Sequence, residues 1–172
     1  MQTMTHNQNT SAHEVSDLEK NNHDESRHHE QLRAEMSLEN RLAVHGLLHR
    51  DRPLLVWQPT CERAHPYSLA KQVLKTLLNS PFDIALVARD SRAKALAKRL
   101  GKMSPYVAQL SELSDAETEA LMKRASTVLQ GDEKLLGFAR QEGVESLGLS
   151  KCTLDAGQLA RAAGGLQAQA QS

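Results

Sequence analysis

The chain has 172 residues, room for a single core with tails, and carries 3% aromatic residues and a formal net charge of zero. So few aromatics beside abundant alanine and leucine argue against a β-sandwich and for helices packed through small side chains. A neutral balance excludes a surface that grips nucleic acid throughout, and no run of the sequence approaches the about 18 apolar residues of a membrane span.

Residues 1–36 read as a polar, disordered arm. Eight acidic residues stand there and in the next four positions against Lys20, Arg27 and Arg33, and large apolar residues are too sparse to repay ordering. His6, His13, His23, His28 and His29 match no defined ligand spacing, so no metal is expected. Residues 37–66 read as a helix followed by an extended strap. Ser37 begins the helix, and Leu38, Leu42, Val44, Leu47 and Leu48 supply its apolar positions. Pro53 and Pro59 bracket a short extended run, Leu54 to Gln58. Trp57, the single tryptophan, fits either a core edge or a subunit contact.

Tyr67 to Leu78 has the stripe of an amphipathic helix, with Leu69, Val73, Leu74, Leu77 and Leu78 on one side. Ser80-Pro81 then reads as a helix start, with Asp83 near its positive end. The run DIALVA that follows also has the length and composition of a strand. Together with LLVW it would spell a small α/β unit, but the cap and the alanines favour helix.

Residues 91–113, SRAKALAKRLGKMSPYVAQLSEL, read as two short helices joined by a turn. Ala93, Leu96, Ala97 and Leu100 share one face of the first, which Gly101 closes by taking a left-handed conformation. Ser104 and Pro105 open the second, with Val107 and Leu110 on its inner face. Ser114 and Glu117 form a capping box for a further helix to about Leu129. Asp132 caps another over Glu133 to Gln141, closed by Gly143. A last short helix spans Gln158 to Ala163, and residues 164–172 are a low-complexity, disordered tail.

The stretch KALAKRLGKMSPYVAQLSEL resembles the helix-turn-helix of the ParB family, the plasmid and chromosome partition proteins and related plasmid repressors. Leu96, Ala97, Arg99, Leu100, Gly101, Lys102, Tyr106, Val107, Leu110 and Leu113 carry the resemblance. Met103 and Ser104 depart from it. The likeness extends upstream to the Tyr67 helix, which in that family braces the motif. It implies a helical DNA-binding domain over residues 67–163, acting on double-stranded DNA. Such modules usually work as homodimers on two half-sites. Six basic residues between Arg89 and Lys102 stand against Asp90 alone, a charge suited to local phosphate contact. Arg92, Lys94, Lys98 and Arg99 are the expected phosphate contacts. Lys102, Ser104, Tyr106 and Gln109 are expected near the groove, with Gln109 suited to adenine.

Enzyme constellations are missing from the pattern. There is no phosphate-binding glycine loop, no G-x-S-x-G and no paired Cys-His spacing. Cys61 and His65 stand four apart without a group to orient them. The nucleotide box of ParB proteins is not found either, so its CTPase activity does not carry over. No enzymatic activity, cofactor or metal is expected. Cys61 and Cys152 imply no disulfide framework, and the N-terminal MQTMTHNQNT is unlike a secretory signal. A cytoplasmic location follows. The expected fold is therefore mostly α: a helical bundle containing a helix-turn-helix, with a disordered arm and at most one short strand. The expected function is a DNA-binding regulator or partition accessory of a plasmid or mobile element. The alternative is a helical adaptor that binds a protein partner and no DNA.

Overall fold

The computed structural model describes residues 10–48, 51–59, 66–148 and 161. Cys61, His65, Cys152, the helix expected over Gln158 to Ala163 and the tail lie outside the described residues, save Arg161.

Helices and strands alternate: α1 (Thr10–Val44), β1 (Leu54–Trp57), α2 (Pro66–Leu78), β2 (Asp83–Ala88), α3 (Ser91–Gly101), β3 (Val107–Ser111), α4 (Asp115–Arg124), β4 (Thr127–Gln130), α5 (Glu133–Gln141) and β5 (Glu145–Ser146). All strand pairs are parallel, and the sheet order is β3-β2-β1-β4-β5. Leu55 lies opposite Ile84 on one side and Thr127 on the other. The fold is thus an open α/β sheet covered on both faces, and the expectation of a helical bundle is corrected.

The strands are strands because both their faces are buried. Along β2, Ile84 and Leu86 enter a core with Leu55, Trp57, Val73, Leu74, Leu77, Ala97 and Leu100 of α2 and α3. Ala85 and Val87 enter a second core with Leu38, Leu42, Leu121, Met122, Leu135 and Ala139 of α1, α4 and α5. Apolar side chains are therefore needed at consecutive positions. A continuous apolar run results, as in buried parallel strands. DIALVA is β2 and not the start of a helix. The Ser80 hydroxyl donates to the carbonyl of Leu77 at the end of α2 and accepts from the Phe82 amide. It closes one helix and turns the chain into a strand.

The same logic removes the helix-turn-helix. Its first half is α3, capped by Asp90, whose carboxylate accepts from the Ala93 amide. Its second half is not helical. The Ser104 hydroxyl accepts from the Tyr106 amide to make a turn, and Val107–Ser111 runs beside β2, with Val107 opposite Ile84 and Leu110 opposite Val87. Val107 enters one core, and Ala108 and Leu110 the other. The capping box at Ser114 and Glu117 is formed, but α4 ends at Arg124 and the following TVLQ is β4. Asp132 caps α5 as expected, and Gly143 follows it with a positive φ.

The arm expected to be disordered is helical from Thr10. From Glu19 to Arg33 its side chains are exposed, and Ala34, Leu38 and Leu42 are buried. Trp57 is 2% exposed in the first core, so it is no subunit contact. No helix among the described residues is long and apolar enough to cross a membrane.

Candidate functional site at the carboxyl crest

The chain steps outward from β1 to β2 and β3, then crosses back through α4 to lay β4 on the other side of β1. Helix α2, which follows β1, packs on one face of the sheet, and α5, which follows β4, packs on the other. The carboxyl ends of these two strands are thus the switch point of the topology, where open α/β sheets take ligands in a crevice. Each strand there hands over from apolar to polar residues: β1 to Gln58, β2 to Arg89 and Asp90, β3 to Glu112, and β4 to Gln130, Gly131 and Asp132.

These groups form a network. Gln58 is 4% exposed, a buried amide that must be satisfied. Its Nε2 donates to Asp132 Oδ2 at 3.2 Å, and its Oε1 accepts from the Asp132 backbone amide at 2.9 Å. The other carboxylate oxygen, Asp132 Oδ1, accepts from the Leu135 amide at 2.9 Å as the cap of α5. Arg89 Nε lies 3.2 Å from Asp132 Oδ2, an ion pair that joins β2 to the crevice across β1. Trp57 Nε1 donates to Gln130 Oε1 at 3.3 Å. Burial alone would raise the Asp132 carboxyl. The Leu135 amide, the Gln58 side chain, Arg89 and the Lys134 amide together bring it below its ordinary value. Asp132 therefore stays ionised at neutral pH and acts only as an acceptor.

Beside this network is a recess of about 160 Å³ lined by Val87, Ala88, Arg89, Glu112, Leu113 and Thr118. Its walls are apolar on the sheet side and polar at the rim. Glu112 sits at φ 56°, the left-handed region, which residues other than glycine, asparagine and aspartate rarely adopt. Its carboxylate accepts from Lys94 Nζ of α3. That hydrogen bond, with the charge of Lys94, holds the Glu112 carboxyl below its usual range. Backbone strain of this kind recurs at binding sites. A wider hollow of about 500 Å³ lies between Met122–Ser126 and Glu142–Glu145, at the amino ends of β4 and β5 and away from the crest.

The residues expected to face DNA are not brought together. Arg92 and Lys94 stand at the crest end of α3, and Lys102 follows its other end. Ser104 and Tyr106 lie in the turn before β3. An 11-residue helix separates the two groups by about 16 Å. Lys98 is exposed on α3. The Arg99 guanidinium lies 3.6 Å from the centroid of the Tyr67 ring and serves packing. Gln109 projects from β3 under the end of α3, against Gly101. With no second helix to enter a groove, the DNA-binding function and the partition or regulator role are corrected. So is the helical adaptor, since the fold is not a helical bundle.

Gln58, Arg89, Glu112 and Asp132 are the crest residues that the sequence reading did not assign to a site. A signal was present: the apolar runs LLVW, IALVA and VL end in Gln58, Arg89 and Gln130, each before a helix or turn.

No family model matches the chain, and neither does any curated protein. Among solved structures, the chain is similar to the heptosyltransferase WaaC of E. coli with ADP-2-deoxy-2-fluoro heptose. The identity is 19% and the TM-score 0.49, over 58% of this chain and 33% of that one. The chain thus spans about a third of the length of that enzyme.

Proposed function

We propose that this chain is a nucleotide-binding α/β domain whose site is the crest of β1, β2, β3 and β4. The observation that carries the reading is the buried Gln58–Asp132 contact with Arg89 beside it, placed at the point where the strand order reverses. In this reading the heterocycle enters the recess next to it, about 160 Å³, beside Leu113. Glu112 and Asp132 offer acceptors for ribose hydroxyls, and Arg89 offers a cation for a phosphate. One amide at the start of each of α3, α4 and α5 is engaged, by Asp90, Ser114 and Asp132. In this reading a phosphate is met by the Arg89 guanidinium beside Asp132. The proposal concerns binding and assigns no reaction. A cytoplasmic location goes with it.

Saturation-transfer NMR with ADP, adenosine and ribose 5-phosphate tests the reading. Saturation is expected on the adenine protons, to be lost in Leu113→Trp, which fills the recess. Arg89→Ala is expected to weaken ADP more than adenosine, by about tenfold or more. Absence of saturation with all three probes, or binding indifferent to both substitutions, overturns it.

A further inference from the structure

Helix α1 has two faces, and the body of the protein uses only one. Ala34, Leu38 and Leu42 recur at every fourth residue and are buried against the sheet and α4. Leu32 and Met36 are 44% and 65% exposed, on the other side of the same turns. At about 100° per residue they stand roughly opposite the buried stripe. Going back along the helix from Met36, the positions on their side are Leu32, His29, Glu25 and Asn22, at alternating intervals of four and three. That is the spacing of a coiled-coil seam. The side chains from Glu19 to Arg33 are all exposed. A long, polar helix with so little packing is marginal on its own in water.

The polar residues along the seam and the charges beside it select one pairing. In an antiparallel pair centred on Arg27, Glu25 of each copy faces His29 of the other, twice about the axis. Asn22 faces Leu32. Flanking the seam, Glu19 meets Arg33 of the second copy, again twice. In a parallel pair each seam residue would face itself, Glu25 against Glu25 and His29 against His29, and Glu19 would not meet Arg33. We infer that α1 is a self-association helix that pairs antiparallel with α1 of a second copy through Asn22, Glu25, His29, Leu32 and Met36. The two bodies then lie at opposite ends of the paired helices.

Sedimentation equilibrium of the full chain tests this. A concentration-dependent dimer is expected. Leu32→Asp with Met36→Asp should raise its dissociation constant at least about tenfold. The thermal unfolding of the body should hardly change, because both side chains are exposed. Glu19→Arg should weaken the dimer about fivefold, and adding Arg33→Glu should restore it. Spin labels at Lys20→Cys or Arg27→Cys, in a Cys61→Ser/Cys152→Ser background, read the direction. Antiparallel pairing leaves the labels at 27 level with each other and separates those at 20 by about 21 Å along the axis. A monomer at every concentration, a dimer indifferent to the seam changes, or equal label distances at 20 and 27 would overturn the inference.

Discussion

The side chain of Gln109 lies across Gly101. A Cβ added at Gly101 would fall 1.7 Å from Gln109 Nε2 and 2.6 Å from Cδ. Gly101 is the last residue of α3 and has no positive φ. A side chain there must displace the far end of the Gln109 side chain, and the chain does not turn left-handed.

Two substitutions separate these reasons. Gly101→Ala must push the Gln109 amide aside and should cost about 0.5–1.5 kcal/mol, the range of a side chain moved off its rotamer. In a Gln109→Ala background the clash is gone, and Gly101→Ala should become neutral or stabilising by up to about 1 kcal/mol, as helix propensity dictates. Urea unfolding of the four proteins measures the coupling. A cost that persists without the Gln109 side chain would mean that Gly101 is constrained by its backbone.

The contrast between α3 and β3 shows what the sequence made legible. The helix was readable because its apolar residues, Ala93, Leu96, Ala97 and Leu100, recur on one face and its boundaries carry local signals. The capping box at Ser114 and the Asp132 cap were readable for the same reason: both are contacts within four residues. Strand β3 was not. Val107, Ala108 and Leu110 satisfy a helical stripe as well as a strand buried on both faces, and Ser104-Pro105 serves a turn as well as a cap. What decides is β2, more than 20 positions earlier, which supplies the hydrogen-bonding partner. The site was hidden with the sheet. Gln58 and Asp132 are 74 positions apart, and only the crossover that puts β4 beside β1 joins them.

Asp132 should make stability depend on acid pH. Its carboxyl lies below the ordinary value in the folded chain, despite the opposing effect of burial. Its stabilising contribution is then complete above the unfolded value of about 4. It is lost as pH falls through the lower folded value. Asp132→Asn keeps a side chain able to cap α5 but removes the charge facing Arg89. The wild type should be the more stable at pH 7, and the two melting curves should converge toward pH 2. A gap that is constant with pH would assign the effect to shape alone.

Glu112 pays in backbone conformation for its place at the rim. With φ at 56°, Glu112→Gly should raise the melting temperature, since glycine adopts this region freely. It also removes the acceptor of Lys94. Stability and adenine-nucleotide binding are therefore expected to move in opposite directions in this variant. A loss of stability would mean that the Lys94 contact outweighs the strain.

Glu117 joins the start of α4 to α1, and its removal should be felt in both. One carboxylate oxygen accepts from the Ser114 amide in the capping box. The other accepts from the Ser37 hydroxyl at 3.2 Å and lies 3.6 Å from Arg41 Nε. Arg41 in turn donates to the carbonyl of Ser111 at the end of β3. Ser114→Ala removes the cap alone and should cost about 1 kcal/mol. Glu117→Ala removes half the box and the link to α1, so about 1–2 kcal/mol is expected. The two variants should differ most in where they loosen. Hydrogen exchange should speed up over residues 34–44 in Glu117→Ala and stay near wild type there in Ser114→Ala. Equal exchange in both would place the hold on α1 in Ala34, Leu38 and Leu42 rather than in this polar link.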